Sequence, residues 1–431
     1  MKKIFNKPLS LVAIAFTLFG WQSPLNGADS PKSWTIDQLV QQALARNAEL
    51  KFYEAEVMAA RGQRTQAGLW KNPEISGEYG SHRVKDESGA VENGYTYGVA
   101  ITQPFEFPGK GSLRKAIANK EIELAELGLE QFRLTLAGRI RSLAYQYLGS
   151  IINTTTAEEI NERSTGLIKL LQERPVAGAQ QLLELRIIEG SLIELQNSYK
   201  DFLLQREEAR LELNNLIGWP ANQPLTIKKT DLSPPTQKLK LNDLVMAGLN
   251  RNLQLKIRVV ELEKAVKEVS SAKLAVAPDF SIGPFFSQDH AGETEENFGG
   301  TISFTLPLWD WNQGNVATAK ARKQQADASL LEARRKVENE ISRRLRIYEL
   351  NQKQLEQSPH DSVTKLREAS DLADRQYRTG VINIQLFLEM QRGFLSAQQV
   401  YNETLSETWQ NLLDLDLLTG GSLQMIRRTQ K

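Results

Sequence analysis

The sequence predicts an α+β membrane protein: a β-barrel shared between several chains and continued by a long tube of α-helices, with the chain itself an internal structural duplication. Three observations carry this reading. The chain is written twice, each copy holds two runs of about ten residues that alternate apolar with small or polar, and each copy holds very long helical stretches.

The duplication shows when residues 36–51 are set over 241–256 at an offset of 205. Seven of the sixteen positions are identical (Leu39/Leu244, Val40/Val245, Leu44/Leu249, Arg46/Arg251, Asn47/Asn252, Leu50/Leu255, Lys51/Lys256), where average residue usage gives about one. The same offset pairs Pro73 with Pro278. At 203, Pro104, Gly111 and Ala116 fall on Pro307, Gly314 and Ala319. At 202, Gly178, Gln196, Tyr199, Leu213 and Gly218 fall on Gly380, Gln398, Tyr401, Leu415 and Gly420. The chain divides accordingly into a first repeat (29–218), a Pro- and Lys-rich linker (219–238), a second repeat (239–421) and a tail (422–431).

Residues 1–28 read as a secretory signal peptide: Lys2 and Lys3, an apolar run from Leu9 to Phe19, then the small Gly27 and Ala28. Cysteine is absent, so no disulfide framework is expected. The net charge of +1 offers no basic excess to attract nucleic acid. Beyond the signal, no apolar stretch reaches the ~18 residues of a membrane helix. A membrane-spanning part is therefore expected to be a β-barrel, because only helices and closed barrels satisfy every backbone group in lipid.

Each copy opens with a helical stretch (about 35–71 and 239–276). The alternating runs follow at 74–83 and 94–103 in the first copy and at 279–288 and 298–306 in the second. In the second run Tyr95, Tyr97, Val99 and Ile101 occupy every other position; in the fourth Phe298, Gly300, Ile302, Phe304 and Leu306 do. Such runs are long enough to cross a hydrocarbon core when tilted. Two polar loops (84–93 and 289–297) separate them, and Asp86, Glu87, Glu92, Asp289, Glu293, Glu295 and Glu296 are expected to lie at an outer mouth and favour cations there. Four strands do not close a barrel, since about eight is the lower limit. Copies of the chain must supply the rest; two would give eight strands and three would give twelve, and arithmetic does not choose.

Long helices are expected at 108–173 and 180–217, then at 313–357 and 362–418. In the first, Ile122, Leu129, Leu136 and Leu143 recur every seven residues, and a second seam runs through Leu113, Ile117, Leu124, Leu127 and Leu134. Seven-residue spacing is the repeat of supercoiled helices, and two seams imply neighbours on both sides, as in a cylinder wall. Pro104, Gly111, Pro307 and Gly314 are read as the strand-to-helix junctions.

These junctions and the segments KNPEISGE (71–78), QPFEFPGKG (103–111), LNNLIGWP (213–220), APDFSIGP (277–284), LPLWDWNQGN (306–315) and YRTGVINIQLFLEMQ (377–391) resemble the TolC superfamily of outer-membrane efflux proteins, closest to its CzcC-like, metal-efflux branch. The resemblance spans the mature chain. It implies a homotrimer with a twelve-stranded barrel in outer-membrane lipid and a helical tube through the periplasm. It also implies that the periplasmic tip meets an adaptor (membrane fusion) protein and an inner-membrane pump. The tip turns then fall at 174–180 and 377–381, with Gly178, Tyr377, Arg378 and Gly380 as adaptor contacts. Relatives carry acids six and nine positions after the second tip glycine; here those positions are Leu386 and Glu389, so one matches. A constriction of Glu389 with Glu184 is the resulting expectation.

An enzyme is not expected. His82, His290 and His360 are far apart in sequence and lack an i+4 partner, and no nucleotide fingerprint or nucleophile elbow occurs. GKGS (109–112) lacks the upstream glycine of a phosphate loop. No cofactor or metal is implied. The rival reading is a periplasmic coiled-coil scaffold or adaptor without a pore, which would share the heptads but has no need of four alternating runs.

Overall fold

The computed structural model describes residues 33–85, 89–173, 178–228, 232–236, 238–357 and 360–423. The signal segment 1–28, Asp86 and Glu87, residues 174–177 of the first tip turn, parts of the linker and most of the tail lie outside the described residues.

The first copy comprises β1 (Ser33–Trp34), α1 (Ile36–Arg46), α2 (Ala48–Ala67), β2 (Glu74–Lys85), β3 (Val91–Phe105), α3 (Lys110–Glu173) and α4 (Ala179–Ile217). The linker contributes β4 (Thr226–Ile227). The second copy comprises α5 (Leu241–Arg251), α6 (Leu253–Leu274), β5 (Phe280–Ala291), β6 (Glu293–Phe304), α7 (Gln313–Gln357), α8 (His360–Arg378) and α9 (Ile384–Leu418).

The two copies repeat individual hydrogen bonds. Asn47 ends α1 and caps α2, its Oδ1 accepting from Leu50 N at 3.1 Å, while its Nδ2 donates to Leu216 O at 2.9 Å. Asn252 does the same in the second copy, accepting from Leu255 N at 3.0 Å and donating to Leu418 O at 2.9 Å. Each asparagine thus starts one helix and ties it to the end of the copy's last helix.

α3 is 64 residues long, a rod of ~96 Å at ~1.5 Å per residue. It contains no proline, and its Ala, Leu, Glu and Arg content favours unbroken helix. The helices pack as pairs around three apolar clusters strung along the rod. The largest sits where α1, α3, α4, α5, α7 and α9 meet the linker, with Ile140, Leu213, Ile341 and Leu412 fully buried and Tyr145 stacked on Trp409 at 4.2 Å. The linker is fastened there through side chains: Tyr147 OH donates to Leu225 O at 3.0 Å, Tyr348 OH to Pro235 O at 2.7 Å and Trp409 Nε1 to Leu232 O at 2.7 Å. Burial pushes the Tyr348 hydroxyl up to about 12, so it stays a donor. Smaller clusters lie midway (Ile160, Phe202, Phe394) and near the far end (Ile188, Ile384, Phe387).

Several boundaries differ from the sequence reading. The stretch 362–418, expected to be helical with a tip turn at 377–381, is two helices: Thr379 to Asn383 form the turn around Gly380 (φ +79), and Asn383 caps α9 by accepting from Leu386 N at 2.9 Å. The four strands are longer than the alternating runs, and the acidic loops shrink with them: Glu92, Asp289, Glu293, Glu295 and Glu296 all stand in strands. The second hairpin turns at Gly292 alone, whose φ of +81 suits glycine. The two-residue strands β1 and β4, which pair in parallel, carry no alternation to read.

Candidate functional site

β2, β3, β5 and β6 form one antiparallel sheet in the order β2-β3-β5-β6. The register sorts its two faces. One carries Ile75, Tyr79, Tyr95, Tyr97, Val99, Ile101, Phe105, Phe280, Ile282, Phe286, Phe298, Ile302 and Phe304. Most of these are exposed, Tyr79 and Phe298 both at 82%. From Phe105 to Tyr95 this band spans ~34 Å along β3, or ~24 Å at a ~45° tilt, the height of a barrel's apolar belt. Past it the same face turns polar at Gln288, His290 and Glu296.

The opposite face is mostly small and polar (Ser76, Gly80, Thr96, Gly98, Ala100, Thr102, Ser281, Gly283, Thr301 and Ser303), with Phe285 and Val84 as its large apolar residues. Its charges are Glu74, Glu78, Glu92, Asp289, Glu293 and Glu295, and no Lys or Arg stands on it among the described residues. His82 shares this face, whereas His290 lies on the other, bonded through Nδ1 to Thr294 Oγ1 at 2.8 Å. No helix among the described residues is long and apolar enough to cross a membrane. Nor do the described residues hold a group of three or more His, Asp or Glu placed to bind a metal ion.

The strand-to-helix junctions are built differently from the sequence reading. Pro104 sits in β3 opposite Ser281, and Pro307 lies between β6 and α7. Gly111 and Gly314 occupy the first turns of α3 and α7, where any residue fits. The left-handed positions are Gly109 (φ +100) and Asn312 (φ +57), which pair at the offset of 203. Asparagine is the side-chain-bearing residue that best tolerates this conformation. Asn312 also donates through Nδ2 to Ala272 O at 2.7 Å. The first junction carries a charge cluster: Lys110 Nζ lies 2.8 Å from Asp279 Oδ1, and Arg114 holds both oxygens of Glu106 at 2.8 and 2.9 Å.

At the other end of the rod, Gly178 precedes α4 with a φ of +152. Tyr377 stacks on Phe387 at 5.5 Å, and Arg378 pairs with Asp374 at 2.9 Å. Glu389 is exposed on α9 and lines a groove between α4 and α9 with Gln385, Arg186 and Arg392; Glu184, half-buried on α4, is not part of that lining. The structure therefore does not bring Glu184 and Glu389 together within one chain. Sequence reasoning missed the polar ties beside them. Arg392 Nη2 donates to Ser191 Oγ at 2.9 Å and to Glu194 at 2.5 Å, joining α9 to α4. Ser370 and Gln391, both fully buried, exchange hydrogen bonds of 2.8 and 3.0 Å between α8 and α9. Gln391 left a signal: it interrupts an apolar stripe of Ile384, Phe387, Leu388, Phe394 and Leu395 at helical spacing.

The profile of the family described as "Outer membrane efflux protein" matches residues 39–219 and 244–421, one match for each copy. The chain belongs to the outer membrane efflux protein family. It is a channel subunit through which an efflux system discharges across the outer membrane. Among curated efflux proteins, it is 23% identical to the pyoverdine export outer membrane protein OpmQ of Pseudomonas putida, over 88% of this chain and 86% of that one. Over a shorter stretch, 33% of this chain and 31% of the other, it is 28% identical to the nickel-cobalt-cadmium resistance protein NccC of Alcaligenes xylosoxydans xylosoxydans. The fold matches the solved structure of the Campylobacter jejuni CmeC outer membrane channel with a TM-score of 0.70 at 18% identity, covering 99% of this chain and 98% of that one. It matches CusC equally well, with a TM-score of 0.70 at 16% identity over 92% and 96% of the two chains.

Proposed function

We propose that three copies of this efflux protein close a twelve-stranded barrel in the outer membrane and continue as a periplasmic tube, forming the passive exit duct of a tripartite pump. The observation that carries this is the pair of edges on the four-stranded sheet. β2 and β6 each have a neighbour on one side only, and an unpaired strand edge in lipid costs several kcal/mol per backbone group. Neighbouring copies remove both edges. The energy for transport comes from the inner-membrane partner, and the duct supplies walls.

Small solutes pass from periplasm or pump to the exterior, divalent metal cations among them. The inner face supports a cationic cargo, since its charges are all acidic among the described residues, and so does the local likeness to NccC. The tip, around Gly178, Tyr377, Arg378 and Gly380, is the adaptor-contacting end. Glu389, with Glu184 supplied by a neighbouring position in the ring, narrows it. Opening is a shift between two packings of the tip helices.

A deletion strain exposed to a panel of divalent metals and antibiotics tests the cargo: sensitivity to metals, reversed by the wild-type gene, is expected, and sensitivity to antibiotics alone contradicts the metal assignment. Glu389→Ala tests the constriction. Single-channel conductance in planar bilayers should rise, and unchanged conductance counts against a gate at that position.

A further inference from the structure

On the side of the helices, the apolar face of the sheet runs out into a cavity at the first strand-to-helix junction. Trp70 stands edge-on to Phe105 at 5.7 Å and Phe105 stacks on Phe280 at 5.3 Å, so the Trp70 ring prolongs the apolar band past its last rung. Beside it the end of α2, the end of β3 and the first turns of α3 enclose about 270 Å³. Side chains tie these walls together. Arg114 Nε donates to Ala67 O at 2.9 Å, joining α3 to α2, and Gln103 Nε2 donates to Lys71 O at 2.8 Å, joining β3 to the segment that follows α2. Trp70 is 76% exposed, so the cavity opens beside an uncovered aromatic ring.

The charges lining this cavity are Lys71, Arg114, Lys115 and Glu106, three cations against one carboxylate. Arg114 and Glu106 satisfy each other. Asp279, beside the cavity, is held by Lys110 at 2.8 Å and lies 3.9 Å from Lys71. Lys115 takes part in no ion pair among the described residues, and its stem lies over Gly68, where an added Cβ would stand 3.1 Å from Lys115 Cε. Two ammonium groups in a recess that opens onto aromatic, lipid-facing surface ask for a ligand anionic at one end and apolar at the other. We propose that the cavity binds the headgroup phosphate of an anionic phospholipid, phosphatidylglycerol, from the leaflet on the side of the helices, one per chain, with the acyl chains lying along Trp70 and Phe105. This goes beyond the barrel reading above and rests on it, because the apolar face must stand in lipid. The volume falls just under the ~300 Å³ at which pockets for whole small ligands begin, so it takes a headgroup and leaves the chains outside.

The duplication supplies an internal control. At the offset of 205, Trp70 and Lys71 fall on Ala275 and Val276; at 203, Phe107, Arg114 and Lys115 fall on Asp310, Ala317 and Thr318. The second junction thus has no cation at any of these positions and gains a carboxylate. It does carry exposed Trp309 and Trp311, so aromatic anchoring at the membrane boundary serves both junctions, whereas the lysines serve one. Charge confined to one of two otherwise equivalent junctions fits a defined ligand rather than general attraction to a surface. Three sites per trimer follow, not six.

Native mass spectrometry of the delipidated mature protein in detergent tests this, with dioleoyl phosphatidylglycerol or dioleoyl phosphatidylethanolamine added in rising amounts. Phosphatidylglycerol should bind the more tightly and saturate at one per chain. Lys71→Ala with Lys115→Ala should weaken its binding about 25-fold, about fivefold for each lysine near an anionic headgroup. Lys71→Arg with Lys115→Arg should keep it, and Lys200→Ala with Lys353→Ala, on α4 and α7 away from the sheet, should leave it unchanged. The trimer mass in the same spectra shows that each variant folds. Equal binding of the two lipids, or phosphatidylglycerol binding untouched by loss of Lys71 and Lys115, overturns the site and leaves the barrel standing. Displacement of the lipid by millimolar inorganic phosphate makes the cavity a free-anion site and overturns the lipid assignment. Monomers that each bind one phosphatidylglycerol keep the site and overturn the shared barrel.

Discussion

Asn47 and Asn252 each act at both ends of a copy, capping one helix with Oδ1 and holding the end of another with Nδ2. Loss of an asparagine cap costs ~0.5–2 kcal/mol, and the buried carbonyl left behind adds ~1–3 kcal/mol. Asn47→Ala and Asn252→Ala should therefore each lower the thermal unfolding midpoint of the detergent-solubilised protein, and being far apart they should add. Equal midpoints for wild type and both variants would remove the asparagines from the account. Asp279 gives the fold a pH limit. Burial pushes its carboxyl up, yet the Lys110 ammonium, the Phe107 N–H and Lys71 outweigh burial and hold it below the usual carboxylate range. The folded chain thus binds this proton less readily than the unfolded chain, so the stabilisation is full above the unfolded value near ~4 and lost as pH falls through the folded one. Stability measured against pH should show an acid limb that Asp279→Asn reduces.

β3 and β5 approach more closely than any side chain allows at Gly283, where an added Cβ would lie 1.7 Å from Ile101 O. Gly283→Ala should force the strands apart at a cost of at least ~1–3 kcal/mol, seen as a lower temperature for loss of the folded, heat-modifiable band on gels; an unshifted temperature would contradict the ladder there. The helical rods were legible because heptads and an absence of proline act locally, and the strands because Tyr95 to Ile101 alternate. The strand ends were not, since Glu92, Glu293 and Glu295 are poor strand formers that stay in register through their neighbours' ladder bonds. Gly109 and Asn312 were missed because Gly111 and Gly314 repeat as identities whereas a Gly/Asn pair does not, although both tolerate the left-handed backbone that the junction requires. The tie between Ser370 and Gln391 depends on two helices meeting, which no local pattern encodes.

Across the whole molecule, one face of the sheet is apolar and the charges of the other are acidic among the described residues, and in the proposed closure by sibling copies those faces become a lipid belt and a lumen. Such a lumen favours cations through the summed field of its carboxylates. Bilayer recordings under a salt gradient should give a reversal potential of cation sign, and Glu74→Gln with Glu78→Gln should move it toward zero. A potential of anion sign would contradict the assignment of the faces. The duplication, legible from sixteen aligned residues, carried the architecture, while the number of copies was not legible because every count that closes the edges satisfies the same local rules. The mass of the purified mature protein by sedimentation, with and without detergent, tests the central claim most directly. A trimer that requires detergent is the expected result, and a water-soluble monomer would contradict it.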